Sequence, residues 1–171
     1  MKKALIIIDM LNDFVKDDAP LKVPGIEKII RPIKREIEKA KKNNFPVIYL
    51  CDSHDPDDPE FRIYPPHAVK NTGGAKVIAE LRPQGSDIII KKISLSGFYN
   101  TKLKEVLDKM EIGGVIITGC ITNICVYFTA FEATVRGYGV DVVEDAVAAI
   151  KKEDHDCAIR QMKEVLKANI I

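Results

Sequence analysis

Four cysteines, three histidines and a set of charged residues closing apolar runs are the side chains with which this chain could do chemistry. The segment Gly119-Cys120-Ile121-Thr122-Asn123-Ile124-Cys125-Val126 joins an apolar run to a helical pattern, which puts Cys125 in or near a first helical turn. Unpaired N–H groups and the helix dipole there favour a thiolate, so Cys125 reads as a nucleophile; it reads equally as a buried, inert cysteine. The other three fit a nucleophile less well, Cys51 lying inside an apolar run, Cys157 on a charged helical pattern and Cys120 at a strand end. Asp9 closes the apolar run in Ile-Ile-Ile-Asp-Met-Leu-Asn-Asp-Phe, as a proton carrier or as a turn or helix cap. Lys91 and Lys92 close a third run and bring a cation to its end. A thiol, a carboxylate and an ammonium at neighbouring strand ends are a nucleophile, a proton carrier and a charge partner.

A second cluster follows the second apolar run. In Asp52-Ser53-His54 the outer residues are two apart, so on an extended chain both point to one face. His67 comes thirteen residues later, after two prolines that stiffen its approach. Three N/O ligands suit zinc, iron or manganese, with a coordination position left open; the competing reading is a polar, exposed loop.

The elements that must position these residues are legible as short, β-branched runs at Ala4–Ile8, Val47–Cys51, Ile88–Ile90, Val115–Thr118 and Val140–Val143, each expected to be a strand buried on both faces. Helical spacing lies between them, in Ile26, Ile29, Ile30, Ile33 and Ile37, in Leu103, Val106, Leu107 and Met110, from Val126 to Val135, and from about Glu153 to Leu166. Ile170–Ile171 adds a final edge strand. The alternation predicts one α/β domain over residues 1–171, a doubly wound, mostly parallel sheet of five or six strands with helices on both faces, Rossmann-like in character. Ligands of such sheets bind at the carboxyl ends of the strands, where Asp9, Asp52, His54, Lys92 and the Gly119–Cys125 segment all fall. Two long irregular segments, Asp52 to Asn71 and Lys92 to Thr101, border the same edge.

With 26 basic against 25 acidic residues, the chain has no field to gather nucleic acid or an anionic membrane. A small, roughly neutral partner is expected. The apolar run after Met1-Lys2-Lys3 is too short for a signal peptide, and no stretch reaches the ~18 apolar residues of a membrane helix. The expected setting is therefore cytoplasmic, with free thiols.

The three motifs around Asp9, Lys92 and Cys125, the second followed by Ser-Leu-Ser-Gly-Phe-Tyr-Asn-Thr, resemble the isochorismatase-like cysteine hydrolases in order and spacing across essentially the whole chain. The resemblance implies a catalytic triad of Asp9, Lys92 and Cys125, Lys92 being the lysine six residues before Phe98. It also implies a cis peptide between Cys120 and Ile121, with the N–H groups of Ile121 and Cys125 as an oxyanion hole. The stretch from Cys51 through Pro59-Glu60-Phe61 to Tyr64-Pro65-Pro66-His67 and Thr72 is similar to the metal segment of the nicotinamidase/pyrazinamidase branch. That likeness implies Asp52, His54 and His67 as ligands of a divalent ion, zinc foremost with iron or manganese as alternatives, and Glu60 as a further ligand, direct or through water. Phe14 and Tyr64 match positions that pack on a substrate ring. Leu95 stands where such enzymes often carry tyrosine, Asn100 replaces the usual glycine before Thr101, and there is no tryptophan. The implied activity is hydrolysis of nicotinamide to nicotinate and ammonia through a thioester, with no organic cofactor and with either a monomer or a homo-oligomer allowed. The alternatives are a hydrolase of another small amide or of isochorismate, and an α/β interaction module with a structural ion site.

Overall fold

A computed structural model describes residues 1–171. The sheet comprises β1 (Lys3–Ile8), β2 (Val47–Asp52), β3 (Ile88–Lys92), β4 (Gly114–Cys120), β5 (Gly139–Ala148) and β6 (Asn169–Ile170) in the order β3-β2-β1-β4-β5-β6. All neighbours are parallel. The order reverses between β1 and β4, and such a switch point leaves a crevice beyond the strand ends.

Alternate residues of β1 divide the core. Ala4, Ile6 and Ile8 face a cluster formed with α3 (Leu103–Lys109), α4 (Tyr127–Val135) and α5 (Lys152–Glu164), while Leu5 and Ile7 face one formed with Ile29, Ile33 and Ala40 of α2 (Glu27–Lys42). Both faces of β1 and β2 must therefore be apolar, as their sequences are. Burial of each such isoleucine or leucine stabilises the fold by about 1.5–3 kcal/mol.

Four elements differ from the pattern in the sequence. β3 is an edge strand, so Ile89 is 54% exposed rather than buried on both faces. β5 runs ten residues, well past Val143, because a register shift opposite Ile117 and Gly119 lets pairing resume at Val147 and Ala148. α5 stops at Glu164, and the final strand is centred one residue earlier than the Ile170–Ile171 pair. No helix is long and apolar enough to cross a membrane.

Candidate active site

Asp9 directly follows β1 at φ 51, a left-handed position that aspartate tolerates better than most residues. Its N–H donates to the carbonyl of Leu50 at 2.9 Å. Beside it, β4 approaches so closely that a Cβ on Gly119 (φ +107) would stand 2.0 Å from the carbonyl oxygen of Ile8, so only glycine fits. The Cys120–Ile121 peptide is cis. A π-helical turn, Thr122–Val126, then leads into α4 and carries Cys125 on the fourth of its five residues.

Strand alternation sets the adjacent lysines on opposite faces. In β3, Ile90 and Lys92 point inward while Lys91 is exposed, and Lys92 is only 2% exposed. Its ammonium lies 2.8 Å from Asp9 Oδ2 and 2.5 Å from Asp52 Oδ1, and donates to Cys125 Sγ at 3.4 Å and to the Ser94 carbonyl at 3.2 Å. Asp9 Oδ1 accepts the Asp52 N–H at 2.8 Å, whereas Asp9 Oδ2, though near the ammonium, has no hydrogen bond of acceptable geometry. Ligating atoms of Asp9, Asp52 and Cys125 lie within 4.8 Å of one another.

One cation among three acidic groups separates their proton affinities. Burial, and next the Asp52 charge, push Asp9 up to about 6 despite Lys92. Burial would also raise Asp52, but Lys92 and His54 together outweigh it and hold that carboxyl below its ordinary value. Burial would lower Lys92, and the two aspartates raise it instead. Cys125 is pushed well up, by burial first and by Asp9 and Asp52 against the pull of Lys92. The surroundings of Cys125 thus work against the thiolate that a helix start would favour. A carboxyl raised to about 6, as Asp9 is, is suited to exchange a proton near neutral pH, whereas the lowered Asp52 favours its ionised form.

The second cluster lies against the first. One ligand atom each from Asp52, His54 and His67 fits within a 4.8 Å span. Both imidazoles are oriented through Nδ1, His54 by Asp58 at 3.0 Å and His67 by the Pro65 carbonyl at 2.8 Å, which leaves each Nε2 free. His54 Nε2 is buried with no hydrogen-bond partner and lies 3.8 Å from Asp52 Oδ1. Burial would lower His54, yet the carboxylates of Asp52 and Asp58 push it up to about 9, so the pocket attracts positive charge. An orphaned ring nitrogen facing a carboxylate and a second free imidazole fits a divalent ion of the zinc, iron or manganese type. Glu60 stands differently from the other three: its Oε1 is 3.8 Å from His67 Nε2, and it groups with His54 and Asp58.

Between the clusters lies a cavity of 80 Å³, several times the roughly 10–15 Å³ that one water occupies on such a measure. Asp9, Asp52, Glu60, His67 and Cys125 line its polar side; Phe14, Tyr64, Leu95, Ile121 and Ile124 are among its apolar walls. The Ile121 N–H makes no backbone hydrogen bond. Phe14 also packs edge-on against His67 with ring centroids 5.5 Å apart, and Tyr64, 39% exposed, forms part of the rim. Sequence reasoning missed Asp58 and Phe61. Asp58 carried a signal, four residues after His54 and two before Glu60, and Phe61, packed on both imidazoles at 5.5 and 5.7 Å, stood in the Pro59-Glu60-Phe61 stretch of the likeness without a role of its own.

The isochorismatase domain family matches the chain over residues 3–170. Isochorismatase family protein PncA of Bacillus subtilis is 34% identical, the alignment covering 99% of each chain. Among solved structures, pyrazinamidase of Pyrococcus horikoshii in complex with zinc superposes with a TM-score of 0.93 at 32% identity, covering 100% of this chain and 99% of that one. N-carbamoylsarcosine amidase of Thermoplasma acidophilum superposes with a TM-score of 0.90 at 39% identity, covering 99% and 95%.

Proposed function

The chain belongs to the isochorismatase family and is a hydrolase of that family, and on this premise we propose that it hydrolyses a small neutral carboxamide, nicotinamide foremost, to the acid and ammonia. The observation that carries this reading is that one cavity is lined by Cys125 and Asp9 and also by Asp52, Glu60 and His67 of the candidate ion site, with Lys92 paired to Asp9 and Asp52. An ion held by Asp52, His54 and His67 would offer an open position to a ring nitrogen in the cavity that holds the thiol, and isochorismate has no such nitrogen.

In the proposed reaction Asp9 accepts the thiol proton of Cys125 as sulfur bonds to the carboxamide carbon. Lys92 stabilises the nascent thiolate from 3.4 Å. The N–H groups of Ile121 and Cys125 hold the oxyanion. Asp9 returns its proton to nitrogen as the C–N bond breaks and ammonia leaves. The same carboxylate then takes a proton from water, whose oxygen attacks the thioester carbon; the C–S bond breaks and the thiol is restored. Asp52, His54 and His67, with Glu60 beside them, would hold a divalent ion whose chemistry is to anchor a pyridine nitrogen. Phe14 and Tyr64 bound the ring.

Ammonia release from nicotinamide, benzamide and aliphatic amides, beside cleavage of isochorismate, tests the reading. Nicotinamide should lead. His54→Ala should cut kcat/KM for nicotinamide by about 10–100-fold and that for benzamide, which lacks the ring nitrogen, much less. Isochorismate cleavage without amide hydrolysis would overturn the proposal.

A further inference from the structure

Asp13 belongs to the motif that supplies Asp9, yet it takes no part in the reaction above. It lies on the four-residue α1 (Asn12–Val15), and its Oδ2 accepts the Ala68 N–H at 2.8 Å across 55 residues of sequence. Ala68 is fully buried at φ 45 and directly follows His67. Its own carbonyl accepts the His54 N–H at 3.1 Å, and the His54 carbonyl accepts the Lys70 N–H at 2.9 Å. One carboxylate thus grips the residue through which both imidazole-bearing segments are tied together. The carboxylate is itself confined, because a Cβ on Gly74 would stand 2.0 Å from Asp13 Oδ2. The neighbours of Asp13 act in the same place: Asn12 donates through Nδ2 to the Gly73 carbonyl at 2.7 Å and through its N–H to the Lys76 carbonyl at 3.0 Å, and the Phe14 ring abuts His67.

We propose that Asp13 is a positioning residue for the divalent-ion site, holding His54 and His67 in ligating register through the Ala68 amide. The inference rests on the reading of Asp52, His54 and His67 as ion ligands. Asp13 acts as a hydrogen-bond acceptor, so an asparagine, whose side-chain oxygen can accept the same N–H, should replace it and an alanine should not. A register error of even a fraction of an ångström matters here, because ligand distances are tolerated within about ±0.2 Å. Gly74→Ala should resemble Asp13→Ala, since the added methyl displaces the carboxylate.

The test is zinc and cobalt affinity, read by competition with a chromophoric chelator and by the cobalt absorption spectrum, for the metal-free wild type, Asp13→Ala, Asp13→Asn and Gly74→Ala. Iodoacetamide labelling of Cys125 in the metal-free proteins is measured in parallel. The expected result is a loss of about 10–100-fold in affinity and an altered cobalt spectrum for Asp13→Ala and Gly74→Ala, near-native values for Asp13→Asn, and unchanged labelling in all. Native affinity in Asp13→Ala would overturn the positioning role while leaving the ion site standing. So would equal losses in Asp13→Asn and Asp13→Ala, or a labelling rate that changes together with affinity, which marks general loosening of the fold. A wild type that binds neither ion would remove the ion reading itself, and that arm alone reports it.

Discussion

The floor of the cavity and the loop over it are built by different means. On the floor, Asp9, Lys92 and Cys125 come from or just beyond strands whose spacing and register are set by the sheet: Ile8 is level with Gly119, and Asp52 is level with Lys92. The loop from Ser53 to Leu81 has only short 3₁₀ turns at Pro59–Arg62 and Ala79–Leu81, and isolated bridges between His54 and Val69 and between Leu11 and Val77. Its imidazoles are held at Nδ1 by Asp58 and the Pro65 carbonyl and packed by the rings of Phe61 and Phe14. The floor cannot adjust without breaking the sheet; the loop can. In the proposed reaction, chemistry common to every substrate would belong to the floor and selection among amides to the loop.

The largest effect should come from the nucleophile. Cys125→Ala should abolish turnover of every amide while the protein stays folded, whereas Cys120→Ala, whose thiol donates only to the Asp9 carbonyl, should be far milder. Mass-spectrometric trapping of the acyl-enzyme together with steady-state rates checks this; equal losses in the two variants would break the assignment of the floor.

Lys92→Met should come next, at about 10²–10⁴-fold in kcat/KM, because it removes the cation shared by two carboxylates and the thiol. Lys91→Met, on the exposed face of the edge strand, should stay close to wild type. Comparable losses would mean that strand parity does not set the floor.

The smallest effect is graded by pH. Asp9, raised to about 6, works as a base only when deprotonated, so kcat/KM should be flat above that value and fall as pH drops through it, approaching about tenfold per unit. An amide without a ring nitrogen should show the same acid limb, since it uses the same floor. A limb that appears only with nicotinamide would move the titrating group from the floor to the loop.

Much of the floor was legible in the sequence because it follows local rules. Apolar runs of strand length mark β1, β2 and β4, and the residue that ends each run must lie at the carboxyl edge of a parallel sheet. Lys92 was singled out from Lys91 only by the resemblance's six-residue count to Phe98, and it took the packing of β3 to show which of the two is buried. The edge position of β3 was not legible, since Ile88–Ile90 reads the same on an edge as in the centre. Nor was the late resumption of β5 pairing, which depends on a register shift opposite β4.

What the sequence by itself determined is the set of reactive side chains and their arrival at one edge of an α/β sheet, because periodicity and residue type are properties of short segments. Only the tertiary structure decided how they divide their charge. Lys92 meets Asp52 across 40 residues, Asp52 meets Asp9 across 43, and Asp13 meets Ala68 across 55. Burial and the Asp52 charge raise Asp9, Lys92 and His54 depress Asp52 although the two carboxylates are chemically alike, and burial with the two aspartates opposes the thiolate that a helix start would favour at Cys125. Proton affinity is set by burial and by the nearest charges, and neither quantity exists until chain segments tens of residues apart are packed together.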